Sequence, residues 1–289
     1  MNIALFGADF QLGQLPRIRE ALIALGHTVT YENPDLIYSN DAGGFQEAIA
    51  LKGDYPSAKL ILNILDIPSF LPEFKNILEK LKWQTAFADK ITCISESVRE
   101  DIRRFLHIDA ACIYNPIMDV SHIEGTTKTL PFLYVGRANA INKRFSLLPQ
   151  VLSELKMPPQ SLVTCGSENP NFGYYASIVD NETLNLLYNS SRYVFLPSSF
   201  EGIGLPIIEA LVCKSIPIVC SDNPTSYEFA PPECIFAPNA VEIANGIRKI
   251  EANYREYVES FYENYGKKYL TQFSKERVAQ NILSICDSL

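Results

Sequence analysis

Short apolar runs alternate along this chain with longer stretches in which apolar residues recur every three or four positions. The first kind reads as buried strands and the second as amphipathic helices. Strands are predicted at 2–6, 28–31, 35–38, 59–65 and 91–94, with helices at 17–25 (closed by Gly26), 74–81 and 96–106. A polar stretch with Gly and Pro, DVSHIEGTTKTLP at 119–131, then reads as a linker. A second series follows it, with strands at 132–135, 162–165, 193–196 and 216–220 and helices at 147–155, 182–188 and 206–213. Alternation of this kind predicts parallel sheets. Beyond Val241 the pattern is helical to the end, and Tyr254, Tyr257, Phe261, Tyr265 and Tyr269 form a stripe that serves packing.

Residues 193–219, YVFLPSSFEGIGLPIIEALVCKSIPIV, carry the chemistry. They predict a buried strand, a polar glycine-bearing loop, a helix with Pro206 at its first position, and a second buried strand. The loop N–H groups of Gly202, Ile203, Gly204 and Leu205, together with the helix N-terminus, form a site for an anion such as a phosphate. Two carboxylates flank it, Glu201 in the loop and Glu209 one turn into the helix. Glu209 sits among Ile207, Ile208, Ala210, Leu211 and Val212, where an unpaired carboxylate costs several kcal/mol. It either binds a ligand there or complements the helix dipole for about 0.3–1 kcal/mol. Gly202 and Gly204, which permit close backbone approach, favour the ligand.

Glu201, seven intervening residues and Glu209 resemble the E-x7-E signature of the retaining GT-B glycosyltransferases of glycosyltransferase family four. Three further stretches match in order: ADKITCISESV at 88–98, IYNPIM at 113–118 and FLYVGRANAINKRFSLL at 132–148. The resemblance covers roughly residues 85–285 and weakens before that. It implies an α/β fold of the GT-B kind, with two Rossmann-like domains whose parallel sheets face each other across a cleft. Residues 1–120 would form the acceptor-side domain and 121–271 the nucleotide-sugar-binding domain, with the helix at 272–289 packing back on the first. The implied reaction moves a sugar from a nucleoside diphosphate sugar, UDP- or GDP-linked, to a glycan, lipid or protein hydroxyl, with retention and without a metal or other cofactor.

In that reading Arg137 and Lys143, following Gly136, bind the diphosphate, Glu209 accepts from the ribose, and Glu201 faces the donor sugar as a catalytic residue. Arg137 and Lys143 follow a buried strand, where open parallel sheets place their ligands; Arg144 reads as a surface charge. Gly7 and Gly13 in GADFQLG make no dinucleotide fingerprint and fit a loop facing the cleft, which adds Gly13 to the donor side. Where many relatives carry His-Asp, this chain reads Leu65-Asp66, so the implied cleft histidine is absent. Asp66 either faces the cleft as a second catalytic candidate or caps its strand. Two alternatives share the motif: a non-catalytic nucleotide-sugar-binding module and a GT-B sugar-nucleotide epimerase.

Composition narrows the partners. The chain has 289 residues, enough for two domains, and a net charge of -8, which argues against nucleic acid or a broadly anionic membrane as its main partner. Its seven cysteines are scattered and never form C-x-x-C, which predicts reduced core residues in a cytoplasmic protein and no zinc site. No signal peptide or membrane span is read. The helix with Phe74, Ile77, Leu78 and Leu81 beside Lys75, Lys80 and Lys82 would suit a membrane surface, although such helices usually cover a core.

Overall fold

The structure is a computed structural model and describes residues 1–7 and 14–289. The chain divides into two compact units, one formed by Met1–Pro116 with Gln272–Leu289 and the other by Ile117–Thr271. The predicted donor-side Gly13 lies outside the described residues.

The first unit is built on β1 (Asn2–Phe6), β2 (Thr28–Val29), β3 (Leu36–Ser39), β4 (Lys59–Ile64), β5 (Lys90–Cys93) and β6 (Ala111–Cys112). These six strands form one sheet in the order β2-β1-β3-β4-β5-β6, every pair parallel. The connections are α1 (Gln14–Ala24), α2 (Phe45–Asp54), α3 (Phe74–Thr85) and α4 (Glu96–Leu106). The Ser95 side chain caps α4 by accepting from the Val98 N–H, and His107 closes it in the left-handed conformation. Helix α2 is not foreseen from the sequence, because only Phe45 and Ala48 of its ten residues are buried and its apolar period is correspondingly faint.

The second sheet contains β7 (Leu130–Val135), β8 (Leu162–Cys165), β9 (Tyr174–Tyr175), β10 (Ser191–Leu196), β11 (Ile216–Cys220) and β12 (Ile235–Phe236), in the order β12-β11-β10-β7-β8-β9. It too is parallel throughout. Its helices are α5 (Leu147–Glu154), α6 (Asn181–Ser190), α7 (Leu205–Val212), α8 (Pro224–Phe229), α9 (Ala240–Glu251) and α10 (Tyr254–Phe261). A π-helical turn, Tyr262–Gly266, leads into α11 (Lys267–Gln272). Gly266 lies so close to α7 that a Cβ there would stand 2.5 Å from the Leu211 carbonyl oxygen. The aromatic stripe does pack: the Phe261 ring meets Tyr257 and Tyr265 at 5.4 and 6.5 Å.

Two segments behave differently from their sequence reading. Residues 119–131, read as linker, are tied to the second unit by backbone N–H groups of Ser121 and Ile123 donating to Asn185 and Asn189, and the Met118 N–H just before them donates to Glu209. The Lys128 ammonium adds bonds to the Cys213 carbonyl and Ser215 hydroxyl at 2.9 and 2.8 Å. Buried polar partners thus hold a stretch whose composition suggested freedom. The last helix, α12 (Lys275–Asp287), buries Val278, Ala279 and Ile282 against Leu15, Ile18 and Leu22 of α1 in the core of the first unit. All seven cysteines are free, six of them buried.

Candidate active site

In the second sheet the chain order reverses between β7 and β10, which lie side by side. Connections leave two such neighbouring strands to opposite faces and open a crevice at their carboxyl ends, where open α/β sheets bind ligands. The loops leaving β7 and β10 are the two that the sequence singled out.

The loop after β7 begins at Gly136, whose φ of +149° excludes an ordinary side chain. Gly166, after β8, crosses it so closely that a Cβ would fall 2.1 Å from the Gly136 carbonyl oxygen. Arg137 follows, exposed. A short 3₁₀ turn, Ile141–Lys143, then directs the loop towards β10. The Asn142 amide donates to the Phe200 carbonyl at 2.9 Å, while the Ser199 N–H donates to the Asn142 carbonyl at 2.8 Å. Beside these bonds the Lys143 ammonium meets Glu201 Oε1 at 2.5 Å, with side chains 13% and 12% exposed. Removal of two charges from water costs several kcal/mol per ion, offset by close pairing.

Arg144, expected as a surface charge, is partly exposed and forms a bidentate pair with Asp222 in the loop after β11. It occupies the left-handed conformation at φ 47°. The Asp222 carboxyl is held below its usual range, chiefly by the hydrogen bond from Arg144.

The loop after β10 ends in Gly204, at φ +74°, where a Cβ would crowd Ile207 and Leu196 at 3.1 Å. Ile203 is buried, and α7 starts at Leu205 with Pro206 next. The first turn of α7 therefore opens at the crevice, its dipole favouring negative charge there.

Glu209 points away from solvent, 3% exposed. Its carboxylate accepts from the Tyr188 hydroxyl at 2.6 Å and from the Met118 N–H at 3.1 Å. Burial and then this carboxylate push the Tyr188 phenol well above its ordinary range. The carboxylate expected to face a ligand thus also anchors α6 and the start of the second unit to α7. No sequence signal links Glu209 to Tyr188, 21 residues earlier.

Other residues at the crevice escaped the sequence reading. Glu168 accepts from the Asn139 N–H at 2.8 Å. The Tyr134 and Ser198 hydroxyls are buried and make no hydrogen bond. Burial first, then the charges of Glu201 and Glu168, raise the Tyr134 phenol far above its ordinary value. Asp66 belongs to the first unit, exposed just beyond the carboxyl end of β4. Arg137, Lys143, Glu201 and the Gly202–Leu205 backbone are thus set on two adjoining loops, with Glu209 behind them.

Comparison with known proteins matches this architecture. The HepE protein of Anabaena, crystallised with UDP and glucose, superposes with a TM-score of 0.78 at 14% identity, over all of both chains. Sucrose-phosphate synthase of Thermosynechococcus elongatus gives 0.78 at 14% identity, covering 99% of this chain and 98% of that one. A glycosyltransferase of Rickettsia africae gives 0.76 at 14%, over 99% and 98%. The fold, two six-stranded parallel sheets with helices, is that of the GT-B glycosyltransferases. In sequence, O-antigen chain mannosyltransferase B of Escherichia coli is 39% identical over 79 residues, which is 27% of this chain and only 19% of that protein. Residues 118–268, just over half the chain, match the family model of glycosyl transferases group 1. The chain belongs to that family.

Proposed function

We propose that this chain is a retaining, family-four enzyme that moves a sugar from a UDP- or GDP-linked donor to an acceptor hydroxyl, with no metal needed. The observation that carries the reading is the Lys143–Glu201 ion pair across the reversal point of the second sheet. One residue of each predicted donor-binding loop meets the other, so both act at one place.

The chemistry then follows from charge. The donor diphosphate enters at the first turn of α7 with Arg137 beside it. Lys143 leaves Glu201 for the phosphate oxygens, a stronger doubly charged partner, and Glu201 becomes able to accept from the sugar hydroxyls. Glu209 reaches the ribose while keeping the Tyr188 and Met118 bonds; a carboxylate has about four acceptor positions. As the bond from the anomeric carbon to the diphosphate oxygen breaks, negative charge grows on the leaving group and positive charge on the sugar. Arg137, Lys143 and the α7 dipole stabilise the first and Glu201 the second. The acceptor oxygen bonds the anomeric carbon on the face the diphosphate leaves, and its proton passes to the departing phosphate oxygen. Seven free cysteines suit a reducing compartment, the cytoplasm.

Two relatives support the donor class. HepE has been crystallised with UDP-glucose, and the Escherichia coli relative is named a mannosyltransferase. The test is NMR of a panel of nucleotide sugars incubated with the protein in EDTA. Transfer or slow hydrolysis should first yield the donor's own anomeric configuration. Inverted product, or activity restored only by manganese, contradicts the proposal.

A further inference from the structure

Helix α3 is amphipathic, but not in the way its sequence suggests. Its expected apolar face turns to the first unit: Leu81 is buried, Phe74, Ile77 and Leu78 are partly buried, and the Phe74 ring packs edge-on to Phe105 at 5.0 Å. What remains outside is a second, aromatic face. Trp83 is 56% exposed and Phe87 44%, and their rings meet edge to face at 5.0 Å. Lys80 and Trp83 are spaced so that they share one side of α3, and Phe87, in the turn just beyond the helix, brings its ring against Trp83. Lys80 and Lys82 flank the ring pair and Lys75 lies two turns earlier, all exposed and in no ion pair among the described residues. With Glu79 as its one acid, α3 is a locally cationic helix in a chain of net charge -8.

From this face we infer that α3 docks the protein on an anionic lipid surface. Tryptophan settles at the boundary between head groups and acyl chains, where its ring is apolar and its N–H stays wet. Lysines spread their aliphatic stems over that boundary and place their ammonium groups among lipid phosphates. The size of the patch points the same way. A stable contact with a second copy buries about 1,200–2,000 Å² in total, far more than two rings and three lysines offer. A bilayer accepts a small patch, because it moulds to the side chains and supplies charge all around them. The contact is a reversible surface attachment, since no helix among the described residues is long and apolar enough to cross a membrane.

Trp83 is the chain's single tryptophan, so its fluorescence reports this face alone. The full-length protein is titrated with vesicles of phosphatidylcholine, or of phosphatidylcholine with phosphatidylglycerol. Anionic vesicles should shift the emission to the blue, and lipids brominated in the upper acyl chain should quench it. About 1 M salt, which shortens the screening length to ~3 Å, should reverse most of the binding. Lys80→Gln and Lys82→Gln should each lower partitioning about fivefold. Phe87→Ser should lower it further, with the thermal midpoint unchanged because that ring is half exposed. An emission that ignores anionic vesicles overturns the proposal. So does a blue shift that needs no vesicles and grows with protein concentration, which would mark self-association. Equal binding to neutral vesicles, untouched by salt or the lysine changes, overturns it as well.

Discussion

The two sheets have the same number of strands and the same parallel pairing, yet the ends of their central strands are chemically opposite. In the first unit the last residues of these strands carry a neutral network, and two acids, Asp41 and Asp66, lie just beyond β3 and β4. The Tyr38 hydroxyl donates to Asn40, the Asn63 amide donates to the Asn40 carbonyl, and the Thr92 hydroxyl donates to Asn63 at 2.8 Å. Asn40, Asn63 and Thr92 are all buried. In the second unit the corresponding ends carry charges: Lys143 on Glu201, Arg144 on Asp222, and Arg137 exposed on the same loop. The first sheet joins its buried polar groups to one another and sets acids beyond them, whereas the second holds paired cations and anions that an incoming anionic ligand can re-pair. The fold supplies a crevice in both units, and the loops decide its use.

The largest effect that would break this contrast comes from removing the cations. Arg137→Ala and Lys143→Ala should each weaken UDP or GDP binding roughly ten- to hundredfold, the value of about 1.5–3 kcal/mol for a charged hydrogen bond. Thr92→Val, in the neutral network, should leave nucleotide affinity unchanged and cost about 1–3 kcal/mol of stability. Titration calorimetry and denaturant unfolding separate the two outcomes, and equal nucleotide losses at both places would erase the distinction.

The two acids sharpen it. Glu201→Gln should lower kcat strongly with a modest change in KM, because that charge matters most in the transition state. Glu209→Gln should raise the donor KM more than it lowers kcat. It should also cost about 1–3 kcal/mol of stability, since Tyr188 and Met118 donate to different oxygens of the carboxylate and an amide keeps an oxygen at only one of those positions. Steady-state kinetics beside urea unfolding test this; a Glu209→Gln protein as stable as its parent would show that the buried bonds matter little.

A smaller effect is one of pH. Burial pushes the Lys128 ammonium down from 10.5 to about 8. The unfolded chain therefore binds more protons between those values, and stability contributed by this residue rises as pH increases through that window. The rise should reach roughly 2–3 kcal/mol before tyrosine ionisation intervenes near pH 10. Lys128→Met should flatten it in urea midpoints taken at about pH 7.5 and 9.5. Smallest is Tyr134→Phe, which removes a buried hydroxyl without a partner and should raise the thermal midpoint by the equivalent of up to about 1 kcal/mol.

Strands were legible in the sequence where their burial is complete, and the better helices where buried residues recur along one face, as Val98, Ile102 and Leu106 do. Residues 162–165 and 216–220, and the capped helix at 96–106, are found where they were expected. The two-residue strands β6, β9 and β12 were not legible, since their pairing depends on neighbours remote in sequence. The glycine loop and its flanking acids were visible as a motif. Their partners were not: Asn142, Glu168, Tyr188 and Asp222 are lone polar residues whose meaning exists only once β7, β8, β10 and β11 lie side by side. Gly166 likewise looks ordinary until its approach to Gly136 is known.

The central claim is that the donor's diphosphate is held by the cation-bearing strand ends of the second unit, and not by the strand ends of the first. Hydrogen exchange with and without saturating UDP reads both at once. Protection confined to peptides spanning 136–144 and 198–206, with 40–44 unchanged, is the expected result. Protection at 40–44 alone, or saturable binding that leaves 136–144 and 198–206 exchanging as before, would contradict it.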